Sequence, residues 1–141
     1  FRLRKEWFEK KETIIVLEDD AFFIKKLDYQ YLLDSKYDII GINNPLGATR
    51  RAQLFHDIIK KNKKDIQPVP TIDEFNIPQG LAGNSAYIIK PSGAEKMIEL
   101  VFKYGLWPND ALMCKQLVDN LGVSKTFYTR VQGLTSTTTQ H

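Results

Sequence analysis

Apolar residues recur along this chain with two periods, one typical of strands and one of helices. Apolar runs or alternating residues predict β-strands over 13–17, 38–43, 86–90 and 125–132. Apolar residues spaced three or four apart predict helices over 1–11, 31–33, 50–64, 92–104 and 109–121. The order of these elements predicts an α/β fold with a mixed, mainly parallel central sheet flanked by helices.

Local signals refine three of these elements. The run over 13–17 is continuous, which predicts a strand buried on both faces. Ser92 and Glu95 have the spacing of a capping box, and Gly105 and Gly122 are placed to end helices. The segment over 67–78 contains three prolines and is expected to be a loop or an edge strand.

Composition places the chain among globular proteins. Its 141 residues are expected to form one domain over 1–141, with 43% hydrophobic and 26% charged residues. The net charge of +3 does not indicate a nucleic acid partner, but it favours an anionic small ligand. Cys114 is the only cysteine, which excludes an intramolecular disulfide and predicts a small core residue. No apolar run is long enough to predict a transmembrane helix.

Three consecutive carboxylates, Glu18, Asp19 and Asp20, follow the first strand directly. Carboxylates this close repel one another and raise each other's pKa unless a cation lies among them, and a divalent metal is the simplest such cation. Glu18 and Asp20 are expected to point the same way, with Asp19 pointing back into the protein. The alternative is a charged loop after a core strand.

Three further segments are candidates for chemistry. Asp110 begins a predicted helix, where a carboxylate serves either as a cap or as a general base. Gly83 would let backbone approach a ligand closely. The C-terminal tail carries Gln132 and His141, and an imidazole there is either a further ligand for Mn²⁺ or part of a tail without a role.

These segments, taken in order, resemble a known family. The apolar strand with Glu-Asp-Asp-Ala, the strand Asp-Ile-Ile at 38–40, the segment Gly-Asn-Ser-Ala-Tyr-Ile-Ile at 83–89 and Pro-Asn-Asp at 108–110 resemble glycosyltransferase family 25. This is the lipooligosaccharide-biosynthesis and procollagen-galactosyltransferase type, with a GT-A fold. The resemblance runs from about Thr13 to Ser136.

The resemblance implies an inverting enzyme that transfers a hexose from a UDP-sugar to a hydroxyl of a carbohydrate or glycoconjugate, using Mn²⁺ or Mg²⁺. The acidic motif matches the DxD-like metal motif of the family. This match implies that Asp20 binds the metal directly. It also implies that Glu18 assists Asp20 by binding the metal or the ribose, and that Asp19 is a further residue of the donor site. The resemblance also implies Gly83 and Asn84 against the donor sugar, Asp110 as the base, and His141 as a metal ligand.

Family members usually carry a further nucleotide-binding portion before the acidic motif, so this portion is expected to be short or missing here. Two alternatives remain: a non-catalytic remnant that binds sugar or a partner, and a metal-dependent phosphoryl-transfer enzyme. The second would need distant carboxylates, for which Asp38, Asp73 and Asp110 are candidates. A cytoplasmic location is expected, or the ER lumen for a piece of a eukaryotic protein.

Overall fold

The structure is a computed structural model that describes residues 12–47, 51–72, 80–81, 84–107 and 109–132, without the side chains of Asn109 and Asp110. The predicted helix over 1–11 lies outside the described residues. Seven strands are described: β1 (Ile14–Leu17), β2 (Ala21–Phe23), β3 (Ile39–Gly41), β4 (Ile66–Pro68), β5 (Ala86–Ile89), β6 (Leu121–Ser124) and β7 (Thr129–Val131). Four helices are described: α1 (Tyr29–Leu33), α2 (Ala52–Lys61), α3 (Pro91–Tyr104) and α4 (Asn109–Leu112).

The main sheet has the strand order β1-β5-β3-β6-β4, which confirms a mixed α/β fold. The prediction that the sheet is mainly parallel is wrong. Only β3 and β6 pair in parallel, whereas β5 is antiparallel to both β1 and β3, and β4 is antiparallel to β6. Strands β1 and β3 run in the same direction, but they do not pair with each other. Strand β5 lies between them and is antiparallel to both, so the sheet is not mainly parallel. A second, two-stranded sheet pairs β2 with β7.

The two faces of the main sheet pack against different layers. On one face, the side chains of Ile39, Tyr87 and Ile89 join residues of α2 and α3 in a buried cluster. On the other face, alternate residues of the same strands join Leu32 of α1. The period-2 alternation of β3 and β5 thus supplies two cores, which is why both strands are continuously apolar.

Strand β1 differs from its prediction. It was expected to be buried on both faces, but Ile14, Ile15 and Val16 are only half-buried and Leu17 is 42% exposed. The reason is its position, since β1 is an outer strand of the described sheet. An apolar run does not reveal whether its strand lies at the centre or the edge.

Helix α3 is confirmed, and it ends at Gly105 with a φ of 93°. The predicted capping box is wrong: Lys90 is the N-cap, and the Ser92 hydroxyl instead donates to Asp38 Oδ1 at 2.6 Å. The predicted edge strand near Pro68 is confirmed as β4, the other outer strand of the sheet.

The long helix predicted over 109–121 is also wrong. Only the short α4 forms there, and Leu121 and Gly122 belong to the buried strand β6. A Cβ on Gly122 would lie 2.7 Å from the Tyr37 ring and 3.1 Å from the Gln67 carbonyl oxygen. This close packing between two strands overrides the helical spacing of the segment. Within the described residues, no helix has the length and apolar character needed to cross a bilayer.

Candidate functional site

The strand ends of the main sheet define the candidate site. Strands β1, β3 and β6 run in the same direction, so their carboxyl ends lie along one edge together with the starts of β4 and β5. We call this the carboxyl edge. It collects polar residues from segments that are far apart in sequence, because each strand ends there in a polar segment.

The acidic motif forms a reverse turn at this edge. The turn joins β1 to β2 and is closed by a hydrogen bond from the Ala21 amide to the Glu18 carbonyl oxygen at 3.0 Å. Glu18, Asp19 and Asp20 are all exposed. The prediction that Asp19 points back into the protein is therefore wrong, since strand alternation stops at Leu17 and the turn exposes every side chain. We call residues 18–21 the acidic turn.

Ser85 fixes the first residue of the acidic turn. The Glu18 amide donates to the Ser85 carbonyl oxygen at 2.8 Å, and the Ser85 hydroxyl donates to Glu18 Oε2 at 3.1 Å. Ser85 is only 8% exposed. The pairing of Leu17 with Ala86 places Ser85 beside Glu18, so the position of Ser85 follows from the antiparallel register of β1 and β5. Sequence reasoning missed this residue, although it follows the predicted donor-site residue Asn84, which is half-buried.

The C-terminal segment fixes the other end of the acidic turn. Strand β7 pairs with β2, placing Val131 opposite Ala21, and the Gln132 amide donates to the Asp20 carbonyl oxygen at 3.0 Å. The prediction that the tail approaches the acidic motif therefore holds as far as Gln132. His141 lies outside the described residues.

Asn43 and Thr129 tie β7 to the main sheet. The Thr129 hydroxyl donates to Asn43 Oδ1 at 2.9 Å, and the Asn44 amide donates to the Thr129 carbonyl oxygen at 2.9 Å. Thr129 is fully buried. Neither Asn43 nor Thr129 was a candidate from the sequence, because their contact joins segments 86 residues apart.

The described residues of the carboxyl edge enclose a small recess. This recess of about 20 Å³ lies between the ends of β3 and β6, bordered by Gly41, Asn43 and Ser124. This is about the volume that one water molecule occupies in a cavity. The recess is therefore too small for a sugar or a nucleotide.

Lysines lie close together where the chain passes from β6 to β7. The Lys60 ammonium donates to the Lys125 carbonyl oxygen at 2.7 Å and lies 4.2 Å from the centre of the Phe127 ring. Burial, followed by the charges of Lys25 and Lys125, lowers the pKa of Lys60. These lysines form a positive surface near the end of β6, which favours the approach of an anionic ligand.

The predicted site residues divide into three groups. Glu18, Asp19, Asp20 and Asn84 lie together at the carboxyl edge. Gly83 and His141 lie outside the described residues, and only the backbone of Asp110 is described, within α4. Among the residues described, no three His, Cys, Asp or Glu side chains form a group that could hold a metal ion.

Asp38 does not join the acidic turn. It lies before β3, at the opposite end of that strand, where its carboxylate accepts hydrogen bonds from Ser92 Oγ at 2.6 Å and Asn120 Nδ2 at 3.3 Å. Its role is thus to connect α3 and the start of β6 to the sheet. This removes one of the distant carboxylates expected for a phosphoryl-transfer site.

A comparison with protein families decides the class of protein. The family model described as "Glycosyltransferase family 25 (LPS biosynthesis protein)" matches residues 2–113, which is most of the chain. The chain belongs to glycosyltransferase family 25. It is therefore a glycosyltransferase, which acts on a sugar donor and an acceptor. A search of curated proteins found no match.

The matched region contains much of the candidate site of this glycosyltransferase. Glu18, Asp20, Ser85 and Asp110 all lie within residues 2–113. Strand β7, Gln132 and His141 follow the matched region, yet β7 supports the acidic turn through β2. The contribution of this C-terminal segment is therefore visible only in the structure.

Proposed function

We propose that this glycosyltransferase moves a hexose from a UDP-sugar to a hydroxyl acceptor at the carboxyl edge, with a divalent metal at the acidic turn. The observation that carries this proposal is the fixed position of the turn. Three exposed carboxylates are held between Ser85 on one side and Gln132 on the other. A turn anchored at both ends presents its carboxylates to a ligand with little loss of conformational entropy.

The carboxylates present suit Mn²⁺ or Mg²⁺ bound in one particular way. Such ions are commonly held by one or two carboxylates together with phosphate oxygens and water, without a complete protein cage. The acidic turn offers Asp20 as the direct ligand and Glu18 as its partner, and His141 is a further candidate. Once bound, the metal would neutralise charge on the leaving diphosphate.

The protein's own groups have distinct roles in this proposal. The Ser85 hydroxyl orients the Glu18 carboxylate by donating to one of its oxygens. Asn84 and Gly83 would lie against the donor sugar, and Asp110 would remove the proton of the acceptor hydroxyl as it attacks the anomeric carbon. Attack on the face opposite the leaving UDP would invert the configuration at that carbon.

The positive surface formed by Lys25, Lys60 and Lys125 supports the choice of an anionic donor. The Lys60 side chain bonds to the Lys125 carbonyl oxygen, in the chain segment that leads into β7. Strand β7 in turn pairs with β2 beside the acidic turn. A field of this sign raises the local concentration of a nucleotide diphosphate and speeds its association. The cytoplasmic compartment expected from the sequence remains a prediction.

Calorimetric titration with UDP, with and without Mn²⁺, tests the donor site. We expect Mn²⁺ to strengthen UDP binding, and Asp20→Asn to weaken binding in Mn²⁺ at least ~10-fold, because one charged ligand of the metal is lost. Asp119→Asn is the matched control, since Asp119 is exposed but precedes the start of β6, away from the carboxyl edge. Equal UDP affinity with and without Mn²⁺, unchanged in Asp20→Asn, would show the proposal to be wrong. A folded chain with neither UDP binding nor turnover would instead indicate a non-catalytic remnant.

The role of Asp110 is tested separately by kinetics. Asp110→Asn should lower kcat by ~10²–10⁴-fold while leaving the affinity for UDP and Mn²⁺ unchanged, as expected for the loss of a general base. The configuration of the product at its anomeric carbon, determined by NMR, tests inversion. Unchanged kcat in Asp110→Asn would exclude this residue as the base, and a retained configuration would contradict the inverting mechanism.

A further inference from the structure

A second cleft lies away from the acidic turn, between the end of α1 and the start of β4. Its volume is about 450 Å³, within the range of roughly 300–1,000 Å³ that is usual for small-molecule sites. Its walls combine aromatic, acidic and basic side chains. The aromatic and charged residues of the lining are Tyr31, Asp34, Lys36, Tyr37, Lys64 and Asp65.

The cleft and the candidate donor site are formed by different segments of the chain. The cleft borders β4, whereas the acidic turn follows β1, and these are the two outer strands of the main sheet. The residues that line the cleft come from α1, from the segment before β3 and from the start of β4, and none of them belongs to the acidic turn. A ligand in the cleft would therefore bind without contacting the acidic turn.

Two tyrosines provide the aromatic surface of the cleft. Tyr31 is 46% exposed, and its hydroxyl donates to Asp65 Oδ2 at 3.3 Å, which fixes the position of the ring. Tyr37 is only 7% exposed and forms part of the floor. A partly exposed ring with a polar tip can pack against the apolar face of a sugar and also form hydrogen bonds.

Charged groups of both signs surround these rings in equal number. Asp34 and Asp65 are acceptors, and Lys36 and Lys64 are donors. Asp34 accepts one hydrogen bond from Gln30 and Asp65 one from Tyr31, which leaves each carboxylate with further acceptor capacity. The two negative and two positive groups of the lining balance one another, and they match the many hydroxyl donors and acceptors of a neutral saccharide.

We propose that this cleft is a second saccharide-binding site, which holds a neutral sugar unit at a distance from the reaction. The proposal rests on the cleft and on the membership of the chain in a glycosyltransferase family, and not on the donor site at the acidic turn. The site takes neutral mono- or oligosaccharides, with one ring against Tyr31 and hydroxyls bonded to Asp34 and Asp65. Such a site would hold a glycan acceptor through a unit that does not react.

NMR titration of the ¹⁵N-labelled full chain tests the proposal. The probes are lactose, maltotriose and N,N′-diacetylchitobiose at ~20 mM, well above a millimolar Kd, without UDP or metal. We expect at least one of them to shift amides within 31–37 and 64–66. If none does, the proposal is overturned. Inorganic phosphate is a parallel probe, and shifts of these amides by phosphate but by no saccharide would identify an anion site instead.

Tyr29 offers a matched control on the same helix. It is 38% exposed and its hydroxyl is also hydrogen-bonded, at 3.3 Å to the Thr13 carbonyl oxygen, but it does not line the cleft. We expect Tyr31→Ala to weaken saccharide binding at least tenfold and Tyr29→Ala to change it less than twofold. Equal effects of the two variants would contradict the proposal.

Two further measurements distinguish a loss of saccharide binding from misfolding, and test whether the cleft is independent of the donor site. Asp34→Ala changes an exposed side chain and should weaken saccharide binding at least threefold, so the proposal stays testable even if Tyr31→Ala does not fold. Saccharide affinity unchanged in Asp34→Ala would count against the assigned hydroxyl contacts. Tyr31→Ala should bind UDP and Mn²⁺ as the unaltered chain does, and a loss of UDP binding in this variant would show that the two sites are not separate.

Discussion

Gly93 lies where the first turn of α3 packs closely against the start of β3. A Cβ at this position would lie 2.7 Å from the Asp38 carbonyl oxygen and 2.8 Å from Ile39 Cγ1. Backbone atoms cannot move aside as the end of a flexible side chain can. The absence of a side chain at Gly93 therefore sets the distance between helix and sheet.

Gly93→Ala tests this contact. Alanine favours a helix over glycine by about 0.8–1.0 kcal/mol, so helix propensity alone predicts a more stable protein. We expect the clash to outweigh this gain and to lower the free energy of unfolding by about 1–3 kcal/mol. Urea denaturation measures the change, and Glu99→Ala on the exposed side of α3 is the control. A stabilised Gly93→Ala variant would mean that the sheet and helix can separate at little cost.

Tyr37 makes the stability of the domain sensitive to alkaline pH. Burial raises the pKa of Tyr37, and burial is also the main cause of the raised pKa of Tyr128. In the unfolded chain a tyrosine loses its proton near pH 10. The contribution of each group is thus fully present below that pH and is lost as the pH rises through the folded pKa.

Replacement of Tyr37 by Phe should remove its share of this pH dependence. We expect the free energy of unfolding to fall less steeply above pH ~10 in Tyr37→Phe than in the unaltered chain. Denaturation by urea at several pH values provides the slopes. Tyr29→Phe removes a hydroxyl from a partly exposed position and serves as the control. Identical slopes for Tyr37→Phe and the unaltered chain would assign the alkaline sensitivity to other groups.

At the scale of elements, β7 is the support of the acidic turn. It pairs with β2, and Thr129 at its start bonds to Asn43 at the end of β3. The hydroxyl is fully buried, so its removal leaves Asn43 Oδ1 without this donor. This side-chain contact therefore adds to the backbone hydrogen bonds that hold β7 against the end of β3.

Thr129→Val should weaken both the fold and the site. The side-chain shape is retained, and the lost hydrogen bond should lower the free energy of unfolding by about 1–3 kcal/mol. A less firmly held β7 should also reduce the affinity for UDP with Mn²⁺, because Gln132 then supports Asp20 less well. Thr126→Val, at a half-buried position outside the strands, is the control for both measurements. Lower stability with unchanged UDP affinity would restrict Thr129 to a role in folding.

The elements that could be predicted from the sequence are those with strong local signals. Helix α3 has an apolar stripe and ends at Gly105, and these two features together were sufficient to predict its position in the sequence. Strand β6 was missed because Leu121 continues a helical spacing and Gly122 is placed to end a helix. The segment is a strand because it pairs with β3 and β4, which are distant in sequence, and its close packing leaves no room for a Cβ at Gly122.

The direction of the strands could not be predicted for a similar reason. Buried parallel and buried antiparallel strands have the same continuous apolar pattern. The position of β5 between β1 and β3 depends on long-range pairing, for example of Ile40 with Ile88. The spacing of apolar residues therefore predicts that a segment is a strand, but it does not predict which strands pair with it.

At the scale of the whole molecule, the acidic turn was predictable and its surroundings were not. Three consecutive carboxylates after an apolar strand are visible in any window of the sequence. Ser85 and Thr129 act through partners 67 and 86 residues away, so their roles follow only from the sheet order. The site is a property of the fold as a whole, and ligand binding there should in turn stabilise the whole domain.

This coupling leads to a prediction for the thermal stability of the enzyme. A ligand that binds only the folded chain at ~100 times its Kd adds about 2.7 kcal/mol to the free energy of unfolding. For a domain of this size, that corresponds to a rise in Tm of roughly 8–10 °C. We expect this rise with UDP and Mn²⁺ together, and a much smaller one with UDP and EDTA.

The variants distinguish a specific effect from a general one. Asp20→Asn should lose most of the rise in Tm, because its acidic turn has lost a ligand of the metal, whereas Asp119→Asn should keep it. Tyr31→Ala should also keep it, since the cleft and the acidic turn lie at opposite outer strands. An equal rise in all three variants would mean that UDP and Mn²⁺ bind elsewhere on the molecule. A rise lost in Tyr31→Ala would mean that the two ends of the sheet are energetically coupled, since effects at distant and independent sites are additive.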